Sequence, residues 1–350
     1  MDGGQTEAAS AVREGCEAQK HSTMKHTLTL LTALLLAPLA AMHGGEPTVL
    51  LRGTADTEVG VHGAGNVYAP EIHRDGDRWL MWYGGQGKDG HDRIHLATSV
   101  DLLTWEKRGV VLDEPGVNHQ NDPSVVSAEG VWWMFYTRAK RGIFDEIAAA
   151  TSTDGVRWQL RGVVLRPIAG VAWDSLVVSR PSVLRENGVF KMWYDARGLK
   201  PGAVSPASDK PEDVLTRADE RSGGYAESKD GLHWQRIGAK PVLGESAGGV
   251  HVSRHVDGYV LLYESHEGTR WVASNDGRVW TTHGLLAPNS GANTDRGGHV
   301  TPFLLVGTGS ETWRLFFGCN TGDWSRNVIA CMPIEHLNLS RQTEPKVMRK

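Results

Sequence analysis

A strand phrase that recurs five times along the chain constrains the fold more than any other feature. It opens on x-Pro-x-apolar at Ala69-Pro70-Glu71-Ile72, Asp122-Pro123-Ser124-Val125, Arg180-Pro181-Ser182-Val183 and Thr301-Pro302-Phe303-Leu304. A further copy, His251-Val252-Ser253, lacks the proline. An aromatic strand follows each opening, at Trp79–Tyr83, Trp132–Tyr136, Phe190–Tyr194, Tyr259–Tyr263 and Trp313–Phe317. A third strand comes next, at Ile94–Ser99, Ile147–Ser152, Tyr225–Ser228, Trp271–Ser274 and Val328–Cys331. Four of these run into a turn closed by tryptophan, as in Asp154-Gly155-Val156-Arg157-Trp158 and Asp230-Gly231-Leu232-His233-Trp234. Asp-Gly between β-branched or aromatic runs signals a hairpin.

Four short antiparallel strands cannot bury both faces alone, and radial repetition solves that while leaving only short sheet edges. The pattern therefore predicts an all-β fold, a five-bladed β-propeller with four antiparallel strands per blade, over residues 43–350. The last copy lacks a fourth strand of its own, and Thr48–Leu51 is the segment expected to supply it.

The formal net charge is -4 with no long run of like charge, so nothing points to nucleic acid or an anionic membrane as partner. Lys25 and His26 precede an apolar run, Leu28 to Ala41, of signal-peptide length and too short to span a bilayer with ease. Residues 24–42 thus read as a leader, and 1–23 as an upstream extension, disordered or left of the true start at Met24. The chain is expected to be secreted or periplasmic, with no membrane attachment after leader removal. Cys319 and Cys331 then remain, either as a disulfide across two strands or as two separate thiols. No Cys/His spacing fits a zinc site.

The topology sends the starts of the first strands, and the loops between second and third strands, to one face. That face collects His91, Asp92, His119, Asp122, Arg138, Glu146, Asp174, Arg180, Asp195, Arg197, Glu264, His266, His299 and Asp323, groups suited to polyols. Trp173 and Trp324 offer flat apolar faces for sugar rings. The insertion Gly198–Gly224 reads as a substrate wall or a surface excursion. The Asp-Gly-x-x-Trp turns, on the opposite face, read as structural.

The x-Asp-Pro openings, the Met-Trp-Tyr second strands (Met81-Trp82-Tyr83, Met192-Trp193-Tyr194) and the Ala-x-Ser-x-Asp-Gly-x-x-Trp phrase together resemble the five-bladed propeller glycoside hydrolases, families 43, 32, 62, 68, 117 and 130. The resemblance runs from Val61 to Cys331 and is closest in architecture to a minimal family 43-like protein. It implies carboxylates at the first-strand openings of the first three blades, one to protonate the leaving oxygen and another as base or nucleophile. Here those positions are Ala69, Asp122 and Arg180, so only the second matches. Glu71, two residues past Ala69 on the same strand face, and Glu264 are the expected substitutes beside Asp122. Asp174, Trp173, Arg180, Arg138, Asp195, His251 and His299 are the expected sugar-binding residues. No cofactor is required. Gly297-Gly298-His299 resembles the axial Gly-His of family 43, which implies a channel cation such as calcium near His299. The expected function is a secreted glycoside hydrolase acting on a small or terminal glycan. The alternatives are a non-catalytic carbohydrate-binding propeller that has lost its acid and base, and phosphorolysis with Arg138, Arg180 or Arg197 holding phosphate.

Overall fold

The second strands carry runs of adjacent hydrophobic residues, such as Leu80–Tyr83 and Met192–Tyr194, rather than strict alternation, and such runs demand cover on both faces. In the computed structural model they are buried on both sides, as in Arg78–Gln86, where seven residues from Leu80 onward are buried. The structure describes residues 47–334, apart from 61–64, 141–142, 171–172, 205–213, 215, 245–246, 266, 289–298, 308–312 and 320–325, together with Leu337. The expected leader and extension, and His266, Asp323 and Trp324, lie outside the described residues.

Among the described residues twenty strands form antiparallel units of four. The first unit is β2 (Val67–Asp75), β3 (Arg78–Gln86), β4 (Asp92–Ser99) and β5 (Glu106–Leu112), and the second is β6 (His119–Ala128), β7 (Val131–Lys140), β8 (Ile143–Ser152) and β9 (Gln159–Leu165). The third is β10 (Val177–Glu186), β11 (Val189–Arg197), β12 (Ser222–Ser228) and β13 (Gln235–Arg236). The fourth is β14 (Gly248–His255), β15 (Gly258–Ser265), β16 (Gly268–Ser274) and β17 (Thr281–Pro288). The last comprises β18 (His299–Leu305), β19 (Trp313–Cys319), β20 (Val328–Ile334) and, from the beginning of the described chain, β1 (Thr48–Leu51). The first two units share one sheet through a single parallel bridge, Asp92 to His119. β1 pairs antiparallel with β20, Thr48 opposite Cys331, so Thr48–Leu51 does fill the vacant edge.

The first strands pack on one another in cyclic order, β2 on β6, β6 on β10, β10 on β14, β14 on β18, and β18 back on β2. Side-chain latches run between them. Val125 N–H donates to Glu71 Oε1 (3.1 Å), Val183 N–H to Ser124 Oγ (2.9 Å) and Val252 N–H to Ser182 Oγ (2.8 Å).

The Asp-Gly turns are structural, as their pattern predicts. Asp276 Oδ1 accepts the N–H groups of Arg278 and Val279, and Asp154 and Asp230 repeat the arrangement. Trp193 Nε1 of the third unit donates to the Gly277 carbonyl (2.7 Å), just as Trp82 donates to Gly155 (2.9 Å). Gly277 has φ 74°, and a Cβ there would sit 2.7 Å from Trp193 Cζ2. Gly277→Ala is therefore expected to cost about 1–3 kcal/mol in a denaturant melt, from backbone strain and a displaced indole.

Cys319 and Cys331 are both buried and are not bonded to each other. Cys319 lies opposite Val328 and Cys331 opposite Phe316, and the two side chains enter different cores on opposite faces of their sheet. The disulfide alternative fails on this register, and the two-thiol alternative stands. A reductant should leave the melting temperature unchanged.

Candidate active site

Each first strand carries a register break at the same place: Tyr68/Glu71, Asn121/Ser124, Ser179/Ser182, Gly248/His251 and Val300/Phe303. Inside each break one residue has positive φ: Ala69 (52°), Asp122 (48°), Arg180 (48°), Gly249 (59°) and Thr301 (43°). Four of these are not glycine, and such strain persists only where surrounding structure enforces it, often at functional sites. The strained bulges turn Asp122, Arg180 and Thr301 toward one another.

Arg180 is the hub. Its Nη1 ion-pairs with Glu264 and lies 3.8 Å from Asp195 Oδ2, while its Nε lies 3.7 Å from Asp122 Oδ2. Its own N–H donates to Thr137 Oγ1 (2.8 Å). Arg221 also ion-pairs with Glu264, and its Nε is 3.7 Å from Asp195 Oδ2. The Thr301 N–H donates to Glu264 Oε2 (3.1 Å), and its hydroxyl donates to Asp122 Oδ1 (3.2 Å). The fourth opening lacks a side chain for a reason. A Cβ on Gly249 would fall 2.9 Å from the Glu264 carboxyl, and one on Gly248 2.3 Å from Arg221 Cδ.

The electrostatics separate these acids. Burial pushes Asp122 up to about 6, against the pull of Arg180. Burial likewise raises Asp195, with Arg221 and Arg180 opposing, and raises Asp145 of β8. Burial also works against Glu264, yet Arg180 and Arg221 hold it down at about 2. Asp122 thus keeps its proton to higher pH than an ordinary carboxyl, and Glu264 stays ionised. Burial and the neighbouring Arg221 lower Arg197, so its charge is poorly compensated.

A second polar group adjoins this hub. His119 Nδ1 lies 2.5 Å from Asp92 Oδ2, and Asn121 Nδ2 donates to the Tyr68 hydroxyl (3.1 Å). Burial, then the charges of Asp92 and Asp122, raise the Tyr68 phenol well above its usual value, so both carboxyls act on Tyr68.

The other expected residues go elsewhere. Glu71 is turned by the bulge away from the direction that a two-residue period gives. Its carboxylate takes the Val125 N–H and pairs with His73 (2.7 Å), and no contact joins it to the Arg180 hub among the described residues. His251, driven to about 4 by burial, packs against Phe303 with the rings tilted (centroids 4.4 Å apart) and meets Ser253 Oγ (3.0 Å). Arg138 grips Glu114 through Nε and Nη2 (2.9 and 2.7 Å) and also pairs with Glu146, which leaves it little capacity for a ligand. Asp174 is fully buried against Arg236 (2.6 Å) and Tyr194, and Trp173 stacks on Tyr194 and donates to the Ala239 carbonyl. His299, at about 4 through burial, meets Thr269 Oγ1 (2.5 Å) and stacks on Phe317. Among the described residues no three His, Cys, Asp or Glu side chains are grouped as metal ligands.

Asp122, Arg180, Asp195 and Glu264 are therefore the expected residues that come together. Sequence reasoning missed Arg221, Asp145, Tyr68 and Thr301 as members. The insertion supplies Arg221: Leu199 bridges Ala218, and Val214 and Ala218 pack on Leu176 and Val177.

No family model matches the chain. A stretch of 158 residues is 30% identical to a 1,2-beta-oligomannan phosphorylase of Thermoanaerobacter sp. (strain X514), covering 43% of this chain and 51% of that protein. The chain spans about half the length of the curated relatives it matches. Among solved structures, a glycoside hydrolase aligns with a TM-score of 0.64 at 19% identity, over 93% of this chain and 99% of that one. Zg3597, a family 117 glycoside hydrolase produced by the marine bacterium Zobellia galactanivorans, aligns with a TM-score of 0.59 at 14% identity, over 82% of this chain and 89% of that one. This is the fold of the propeller glycoside hydrolases. In a propeller the first strands surround a common axis, which is why residues far apart in sequence, Asp122 and Thr301 among them, meet at their openings.

Proposed function

We propose that this chain is an exported, five-bladed propeller enzyme that cleaves a glycosidic bond in a small or terminal glycan. The cyclic packing of the first strands supports five blades. The observation that carries the chemistry is Asp122: strained, buried, flanked by Arg180 and Thr301, and protonated up to about pH 6. A group of that kind is suited to give a proton to a leaving glycosidic oxygen. Asp195 and Asp145 both lie near Arg180 and are suited to sugar hydroxyls.

A second reading, phosphorolysis, is favoured by the three guanidinium groups of Arg180, Arg197 and Arg221 and by the half-length likeness to a phosphorylase. An anion beside Arg197 would relieve the repulsion from Arg221. One assay separates the readings. Oligosaccharides that include β-1,2-linked mannans are incubated with and without inorganic phosphate, and the products are resolved as free reducing sugar or sugar 1-phosphate. Free sugar formed without phosphate supports hydrolysis. Sugar 1-phosphate formed only with phosphate supports phosphorolysis. No product under either condition overturns the enzymatic reading.

A further inference from the structure

We infer that Arg197 receives a carboxylate carried by the glycan itself, so that the substrate is a uronic-acid sugar; the inference rests on reading the Arg180 hub as a glycan site. Arg197 ends β11, two residues past Asp195 and on the same strand face. β11 and β12 pair Asp195 with Gly223 and Ala196 with Ser222, and this register brings Arg221 in beside Arg197. Leu176 N–H donates to the Arg197 carbonyl (3.0 Å) and Asp219 N–H to the Gly198 carbonyl (2.8 Å), so the backbone on either side is held in place. Two guanidinium groups are thus set next to one another, and like charges at neighbouring positions of paired strands repel.

The hub provides for its other cations. Arg180 and Arg221 both ion-pair with Glu264, and they lie 3.8 and 3.7 Å from Asp195 Oδ2. Arg197 is not provided for in this way: no hydrogen bond or ion pair joins its guanidinium to another described residue. The groups that act on it do so at longer range. Asp195, Glu264 and Asp145 attract it, while Arg221 and Arg180 repel it. Its side chain is half-buried, so the charge is partly stripped of water and can still be reached. Two residues back, Asp195 Oδ1 is buried with no hydrogen-bond partner. A donor group and an acceptor are therefore both unspent at neighbouring positions on one strand face.

A carboxylate suits this place better than the alternatives. Its flat pair of oxygens matches the guanidinium fork, and the bonds formed are charge-assisted. A neutral sugar hydroxyl would leave the repulsion between Arg197 and Arg221 uncompensated. A phosphate dianion would bring a second negative charge up to Asp195, Glu264 and Asp145. A uronic acid brings a single negative charge, fixed to the ring that the hub holds. Arg197 acts in binding, and the chemistry at the anomeric carbon stays with Asp122.

The test is binding by the full chain at pH 7 and constant ionic strength, measured by calorimetry. The probes are the methyl glycosides of glucuronic, galacturonic and mannuronic acids, the neutral methyl glucoside, galactoside and mannoside, and inorganic phosphate. At least one uronide should bind about 10-fold or more tightly than its neutral counterpart. Arg197→Gln should weaken that uronide roughly 10–100-fold and leave the neutral glycoside unaffected. Arg197→Lys, a point charge without the fork, should recover only part of the loss. Because Arg197→Gln removes a repelled charge, its melting temperature without ligand should be level with or above that of the unaltered protein. Neutral glycosides bound with no preference for uronides, or a uronide bound as tightly by Arg197→Gln, overturn the inference alone. Phosphate bound more tightly than every uronide, and through Arg197, overturns it in favour of phosphorolysis. No glycoside bound at all overturns the glycan site with it. None of these readouts needs turnover, so a chain that cleaves nothing yet prefers uronides through Arg197 loses the enzymatic reading and keeps this one.

Discussion

Asp122→Asn is expected to lower turnover of an unactivated glycan by roughly 10²–10⁴-fold while leaving the protein as stable as before, or more so. The amide keeps the shape of the protonated acid, and its oxygen can still accept from the Thr301 hydroxyl at the Oδ1 position. The stability claim follows from the direction of the shift. Asp122 titrates at about 6 when folded, above the roughly 3.9 of an unfolded aspartate. Proton binding therefore favours the folded state, and its contribution fades as pH rises from about 4 through 6. Above that range the carboxylate is a buried negative charge and the amide is not. Melting temperatures of both proteins at pH 5 and pH 8 should be close at the lower pH, with the variant level or ahead at the higher. Activity of the unaltered protein should fall as pH rises through about 6, on the limb that reports the acid. A variant that folds and turns over glycan at the original rate would remove Asp122 from the reaction.

Glu264→Gln should behave in the opposite way. Glu264 bridges Arg180 and Arg221 and accepts the Thr301 N–H, so it balances two guanidinium groups at the centre of the ring. Removing one partner of a buried pair leaves an uncompensated charge, which typically costs about 3–5 kcal/mol. The low folded value of about 2 gives the sign. This group stabilises the fold above its unfolded value near 4.3, and that stabilisation is lost as pH falls through about 2. The difference between the unaltered protein and Glu264→Gln in urea should thus be full at pH 7 and narrow in acid. An unchanged midpoint at pH 7 would mean that water or an anion already neutralises the arginines. Asp122→Asn and Glu264→Gln together separate a group poised for proton transfer from one that holds the site in shape.

The strand units were legible because their signals are local. Asp-Gly turns and aromatic strands announce themselves within a few residues, and the five openings align without knowledge of distant contacts. That alignment also located Asp122, Arg180 and Thr301, whose backbones share one strained conformation. The direction of Glu71 was not legible. Alternation along a strand places it beside Ala69, but the bulge between Tyr68 and Glu71 intervenes, and a bulge has no sequence mark beyond the proline. Arg221 was hidden in an insertion whose end point depends on packing against Leu176 and Val177. Arg138 and Asp174 sat on the expected face, yet their ion pairs with Glu114 and Arg236 are long-range and invisible in a list of polar residues. The fourth copy lacks its proline and reads Gly248-Gly249, the vacancy into which Arg221 and Glu264 fit.

The pairing of β1 with β20 has a kinetic consequence. Synthesis delivers β1 before the other described strands and β20 after them, so Thr48–Leu51 must wait unpartnered until Val328–Ile334 has left the ribosome. Contacts so distant in sequence carry a large loop-closure entropy and are made late. Assembly should therefore end with a slow zippering of this one edge, and a chain stalled before Val328 would hold its early blades as an open arc.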